Sequence, residues 1–281
     1  MKPPVFMLRQ PKTVEEALAL LAADPDGSRV LAGGQSLVPL LNLRMVSPKQ
    51  LIDLNSVRGM DGIRLEGDSL VVGAMTRQSE LLANPNIEKY APLLARAVQH
   101  VGHVQTRNRG TLGGSLAFAD PSAELPLVMV VLDAVFRIRS HAGSRDVPAR
   151  AFFHDMLSTD LAADELLLEI AIPVSNDTKK VAFREYARRH GDFAIVAAAA
   201  QYSSSPGGMV LSAGLGGLEK VPRHFDRMCA ALLAEPQPSI DDLVRAEITQ
   251  LDPLSDLHAS GSYRSELALV ALGDCLREVL P

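Results

Sequence analysis

The sequence predicts an α+β protein of two unequal parts, its strands and helices gathered in blocks rather than wound as regular βαβ units. Three observations lead there. The segments Val135 to Arg139 and Leu166 to Ile172 alternate, the second with Leu166, Leu168, Ile170 and Ile172 on one face, which is the period of a strand. Capped helical patterns lie between and after the strand segments. A polar stretch from Pro173 to Lys180 breaks the pattern and divides residues 1–175 from residues 176–281.

The first part opens with a helix. Thr13 and Glu16 form a capping-box pattern, and Val14, Ala17, Leu18, Leu20 and Leu21 supply the apolar face. Asp24-Pro25-Asp26-Gly27 ends it with turn chemistry. A strand at Arg29 to Leu31 runs into Ala32-Gly33-Gly34-Gln35-Ser36-Leu37, and Gln50 to Leu54 reads as another short strand. The texture changes near Ile63, so this part splits into subdomains of about 1–57 and 58–175. Ile63 to Leu65 and Leu70 to Gly73 flank a Glu66-Gly67-Asp68 turn and predict a hairpin. Thr76 is positioned to cap a helix through Leu82, and Tyr90 to Val101 reads as the next helix. A second glycine turn follows, Thr111-Leu112-Gly113-Gly114-Ser115. Asp120-Pro121 has the form of a cap and first helical position ahead of an apolar body from Leu125 to Leu132.

The second part reads as a three-stranded antiparallel sheet with helices. Its strands are Ala182 to Arg188, Ala194 to Tyr202 and Met209 to Ala213. Ala197 to Ala200 favour helix by propensity, but their flanks are β-branched and the spacing suits a meander. His224 to Leu233, Asp241 to Gln250 and Tyr263 to Leu280 are helical, with Ser262 as the cap of the last.

Composition narrows the function. A net charge of −5 without a basic block argues against nucleic acid or an anionic membrane surface. No apolar run approaches the roughly 20 residues of a membrane span. The first residues are too interrupted for a signal peptide, so the expected location is the cytoplasm. Cys229 and Cys275 are the only cysteines, fewer than the four thiolates an iron–sulfur cluster usually takes. No HExxH, GxGxxG or P-loop is present, and no catalytic or metal-ligating set is identified.

The two glycine turns carry the strongest signal. Glycine reaches positive φ cheaply and lets bare N–H groups converge on an anion. Two such turns, each with a hydroxyl residue, suit a ligand with two phosphates.

Residues 32–37 followed by Val-Pro-Leu-Leu-Asn-Leu-Arg-Met, and Gln105-Thr106-Arg107-Asn108-Arg109-Gly110 leading into the second turn, resemble the flavoprotein medium subunit of molybdenum hydroxylases of the carbon monoxide dehydrogenase and xanthine dehydrogenase type. The resemblance continues through Asp120 to Pro126, Asp164 to Leu167, Arg188 to Ala194, Gly214 to Gly217, and Tyr263-Arg264. It implies a two-subdomain FAD-binding domain of the vanillyl-alcohol-oxidase (PCMH) type, a smaller C-terminal domain, and FAD held without a covalent link. Carried over, Ala32, Gly33, Gly34, Gln35, Ser36 and Leu37, with Thr111, Gly113, Gly114 and Ser115, hold the diphosphate. Val101 packs against the cofactor, Glu124 binds it through a hydroxyl, Leu167 lines the ring, and Phe193 stands beside the flavin. Ser115 departs from the Asn of many members. Arg184 aligns only roughly with the family's basic residue, so the contact at flavin N1 or O2 stays unassigned. Arg107 and Arg109 read as surface or partner-facing.

By the same resemblance, molybdopterin and [2Fe-2S] clusters belong to partner subunits, a large one and a small one, assembled as a dimer of heterotrimers. Electrons would pass from iron–sulfur clusters through FAD to an external acceptor. Two other readings stand beside this one: a self-sufficient flavin oxidase or dehydrogenase of a small organic substrate, and a scaffold that has lost FAD.

Overall fold

The computed structural model describes residues 2–174, 178–205 and 208–281; the 175/176 boundary lies outside the described residues. Among the described residues the fold is a mixture of helices and three main sheets.

The first sheet is parallel, with Gln50–Asp53 between Met7–Arg9 and Ser28–Leu31. Helix Val14–Ala23 covers it. Thr13 caps that helix by accepting from the Glu16 N–H, and the Glu16 carboxylate accepts from the Lys12 N–H. Ala17, Leu18 and Leu21 are buried with Ile52, Leu54, Val57 and Met60.

The second sheet is antiparallel, in the order Ile63–Glu66, Ser69–Gly73, Leu166–Pro173, Val135–Arg139, Ser144–Pro148. Its register shifts between Leu167 and Glu169, and the Leu168 carbonyl turns to accept from the Ala74 N–H. Helix Glu124–Val131 lies in the core behind it, every one of its residues buried. A helix apolar on all sides has to be enclosed on all sides.

The C-terminal sheet has four described strands, not three: Thr178–Tyr186, Val196–Ser205, Gly208–Gly216 and the two-residue Arg223–His224. The last is too short to show a period, and its second residue, His224, reads as the start of a helix that begins only at Asp226. The alanine run lies in the strand Val196–Ser205. Ala197 and Ala199 join the core of the first part, while Ala198 and Ala200 join the core under helix Gly261–Val279. A strand buried on both faces has no polar face, and alanine lets a layer approach closely from each side.

Other local expectations shift. The helix expected over Tyr90 to Val101 is the shorter Pro92–Val98; Tyr90 instead ends a preceding helix, Pro85–Tyr90, which Pro92, lacking an N–H, does not continue. Thr76 does not cap; it is buried, and its hydroxyl donates to the Gly62 carbonyl and accepts from the Gly62 N–H. Asp120 makes a local turn by accepting from the Ser122 N–H, and the helix starts at Glu124. Ser260, not Ser262, caps the last helix.

The two parts are tied across their seam. The Ser212 hydroxyl donates to the Val131 carbonyl at 2.6 Å, and Arg150 pairs with Asp133 at 3.0 Å and Asp226 at 2.7 Å.

Candidate functional site: a cleft between two glycine turns

The first turn leaves strand Ser28–Leu31 and feeds helix Leu37–Asn42. Gly34 sits at φ 73°, which glycine adopts without cost to a Cβ. The second turn opens helix Leu112–Phe118, with Thr111 accepting from the Gly114 N–H at 3.1 Å. The turns press together. A Cβ on Gly33 would lie 2.2 Å from the Arg109 carbonyl oxygen, and one on Gly114 would lie 3.4 Å from the Ala32 Cβ.

Between them runs a cleft of about 810 Å³. Twelve of the fourteen sequence-derived site residues line it: Ala32, Gly33, Gly34, Gln35, Ser36, Leu37, Val101, Thr111, Gly114, Ser115, Glu124 and Phe193. Gly113 and Leu167 do not. Gly113 faces away, where a Cβ would lie 2.5 Å from the Ala74 Cβ, so its glycine serves helix–strand packing. Leu167 is 6% exposed and belongs to the core behind the wall.

Backbone and charge shape the cleft. Arg107 donates to the carbonyls of Val101 and Gly102, both at 2.9 Å, and so holds the loop that carries Val101 rather than facing outward. Gly191 (φ 85°) packs on His103, where a Cβ would be 2.5 Å from the imidazole, and this places Phe193 at the rim, 67% exposed. Glu124 is 6% exposed; burial, with the nearby Asp120 charge adding, pushes its carboxyl up to about 7. Burial also raises Asp120.

The sequence did not reveal Gln78. This side chain is 4% exposed and lines the cleft, and its Oε1 is buried without a hydrogen-bond partner among the described residues. Leaving such an acceptor unpaired costs about 1–3 kcal/mol, so it calls for a ligand donor. The available signal was a glutamine three residues before Leu81 on the same helical face. The Arg77–Asn55 clamp between the turns was missed too, and so was the hairpin around Leu157, which closes one wall.

Other chemistry is sparse. Cys229 and Cys275 are free and buried, and burial pushes both thiols up to about 12. Among the described residues no cluster suits a metal ion. Ser212 lies 2.8 Å from His224 Nε2, but its proton goes to the Val131 carbonyl, so the pair is a tie between layers rather than a nucleophile. The cleft does fit FAD: a glycine cradle that a Cβ would fill, hydroxyls at each turn, and an orphaned acceptor in the wall.

Comparison with known proteins gives the same picture. Residues 4–175 match the family described as FAD binding domain in molybdopterin dehydrogenase, and residues 181–279 match CO dehydrogenase flavoprotein C-terminal domain. The 6-hydroxypseudooxynicotine dehydrogenase complex subunit alpha of Paenarthrobacter nicotinovorans is 37% identical over 95% of this chain and 92% of that one. The carbon monoxide dehydrogenase medium chain of Hydrogenophaga pseudoflava is 33% identical over 95% and 94%. Among solved structures, carbon monoxide dehydrogenase from Hydrogenophaga pseudoflava superposes with a TM-score of 0.94 at 32% identity, covering 99% of this chain and 98% of that one. Quinoline 2-oxidoreductase from Pseudomonas putida 86 gives 0.92 at 37% identity, covering 99% and 98%. Among the described residues no helix is long and apolar enough to cross a membrane.

Proposed function

The chain belongs to the family of FAD-binding subunits of molybdopterin dehydrogenases, and from that membership we propose that it relays electrons from an iron–sulfur partner, through FAD, to an external acceptor. It is the FAD subunit of a multi-subunit oxidoreductase of the molybdenum hydroxylase class. The apposition of the two glycine turns across one cleft is the observation that carries the proposal.

FAD supplies a redox centre that takes and hands on electrons singly or in pairs. The chain's own residues bind and orient it. Ala32 to Leu37 and Thr111 to Ser115 hold the diphosphate through N–H and hydroxyl groups, with Gly113 allowing its helix to approach the sheet. Gln78 accepts from a ligand donor, Glu124 meets a hydroxyl, Val101 packs against the cofactor, and Phe193 covers the flavin side of the rim. Leu167 supports that wall from behind. The link is non-covalent, and the FAD-binding domain is of the PCMH type. The parallel sheet and the antiparallel sheet flanking the cleft support that assignment. We place this domain at residues 1–175, with subdomains of about 1–57 and 58–175, and the C-terminal domain at 176–281.

The partners are a small subunit with [2Fe-2S] clusters and a large subunit with molybdopterin, in a dimer of heterotrimers. The two free thiols suit the reducing cytoplasm. A self-sufficient oxidase is disfavoured, because relatives matched over nearly their whole length are named as a complex subunit and a medium chain.

The test is anaerobic flavin bleaching. The isolated chain should be bleached by dithionite and reoxidised by an artificial acceptor, yet stay yellow with organic substrates. The assembled complex should bleach with its substrate. Acid precipitation should leave FAD in the supernatant. Rapid bleaching of the isolated chain by an organic substrate would overturn the relay.

A further inference from the structure

Leu157, Thr159, Leu161, Ala162, Ala163 and Glu165 form one wall of the cleft. The N-terminal end of this wall is tied to the helix of the second glycine turn, where the Leu157 N–H donates to the Ala119 carbonyl at 3.1 Å. After Ser158–Thr159 the chain enters no strand or helix until Leu166. A segment without a ladder or a helical turn takes its shape from other hydrogen bonds. Here the Leu161 N–H donates to the Thr159 hydroxyl at 3.3 Å, and the Ala162 N–H donates to Glu165 Oε2 at 2.9 Å.

The C-terminal end is held from outside the cleft. Arg145 stands on the edge strand Ser144–Pro148 and is not among the lining residues. Its Nε donates to Glu165 Oε1 at 2.7 Å and its Nη2 to Glu165 Oε2 at 2.6 Å, a two-pronged grip. Nη2 also donates to the Asp160 carbonyl at 2.6 Å, and Nη1 meets the Asp160 carboxylate. Single ion pairs in water contribute little, but a fork closed on a carboxylate only 11% exposed, with a backbone carbonyl joined to it, is a network.

Charge gives the grip a second effect. The lining carboxyls are Asp120, Glu124, Glu165 and Asp192, and Arg29 is the one lining cation among the described residues. Burial raises Asp120 and Glu124, which favours their neutral forms. Asp192 is exposed to water at the rim. Glu165 differs, because the hydrogen bonds from Arg145 lower it and keep it ionised. Without a partner, that carboxylate would repel a diphosphate in a cleft that screens charge poorly.

We propose that Arg145 is a positioning residue for the cofactor: it fastens the 157–165 wall and cancels the Glu165 charge that would otherwise oppose the diphosphate. This rests on the reading of the cleft as an FAD site.

The test is FAD binding to apoprotein of the full chain, followed by fluorescence quenching, with the far-UV circular dichroism of each variant beside it. Arg145→Met should weaken binding at least about tenfold. Arg145→Lys keeps the charge without the fork and should recover part of that loss. Adding Glu165→Gln to Arg145→Met removes the uncompensated carboxylate and should restore affinity at least threefold, a recovery that an arginine serving only the fold would not give. If Arg145→Met fails to fold, Arg145→Gln, which can still donate to Asp160, takes its place under the same two thresholds. Wild-type chain that binds no FAD would overturn the FAD reading and this one with it. FAD bound by wild type, but with a loss under tenfold, a lysine no better than methionine, or a recovery under threefold, would overturn this one alone.

Discussion

Arg77 and Asn55 form a clamp linking the two glycine turns: the guanidinium donates to Asn55 Oδ1 at 2.6 Å. Asn55 in turn donates to the Ala32 carbonyl at 3.0 Å, and the other arm of Arg77 reaches the Arg109 carbonyl. One carbonyl belongs to the first glycine turn and the other leads into the second. The two turns therefore share a single polar brace, remote in sequence from both.

Arg77→Met should loosen that brace. Hydrogen bonds to charged groups contribute about 1.5–3 kcal/mol, so FAD affinity should fall roughly tenfold to a hundredfold. Titrating FAD into apoprotein by fluorescence quenching measures this, with far-UV circular dichroism checking the fold. An affinity within twofold of wild type would show that the turns hold their spacing without the clamp.

The glycines should differ in cost. At Gly33 a Cβ meets backbone at 2.2 Å, so Gly33→Ala must force the turns apart and should abolish stable FAD binding. At Gly34 the nearest atom to a Cβ is Val38 Cγ2 at 3.1 Å, and the penalty is mainly the positive φ, about 1 kcal/mol. Gly34→Ala should keep partial occupancy. The flavin-to-protein ratio of the two purified variants decides it.

Glu124 and Glu185 make stability fall with rising pH. Their folded-state values, about 7 and about 8, lie above the ordinary glutamate value of 4.5. The folded state therefore binds more protons than the unfolded state between those limits. Their contribution is fully present below about pH 4.5 and is lost as pH rises through 7 to 8. Denaturant titrations should show wild type losing on the order of 3 kcal/mol relative to Glu185→Gln between about pH 5 and 9. Parallel pH profiles would refute the assignment.

Ala119 closes helix Leu112–Phe118 in the left-handed conformation, φ 53°. Glycine adopts that state without the Cβ penalty. Ala119→Gly should stabilise the protein by about 0.5–1 kcal/mol, seen as a rise in Tm at unchanged flavin content. A fall in Tm would mean that the alanine's packing outweighs its strain.

Local chemistry made much of the fold legible. The Thr13–Glu16 capping box and the hairpin around Gly67 are decided by neighbours in the chain, and both stand where the pattern put them. The Leu166 strand was also found, but its residues do not share one face as the alternation suggested. The bulge after Leu167 puts Leu166 and Leu168 in the core of the first sheet and Leu167, Ile170 and Ile172 in the central core. Elements shorter than their own period were not found. Arg223–His224 has two residues, and Met7–Arg9 only three, so neither carries a readable alternation. Helix Val104–Arg109 has no buried residue and hence no apolar face to betray it.

The sequence by itself determined the two glycine turns, because backbone freedom and a hydroxyl cap are properties of the local chain, and twelve of its fourteen site residues line the cleft. Tertiary structure alone decided that Gly113 and Leu167 face away, that Gln78 faces in, and that Arg77 braces both turns. It also brought His100 Nδ1 within 3.9 Å of Glu185. Each of these depends on which face of an element meets which neighbour. That choice is made by burial summed over residues far apart in sequence, and so it leaves no mark in any short stretch of the chain.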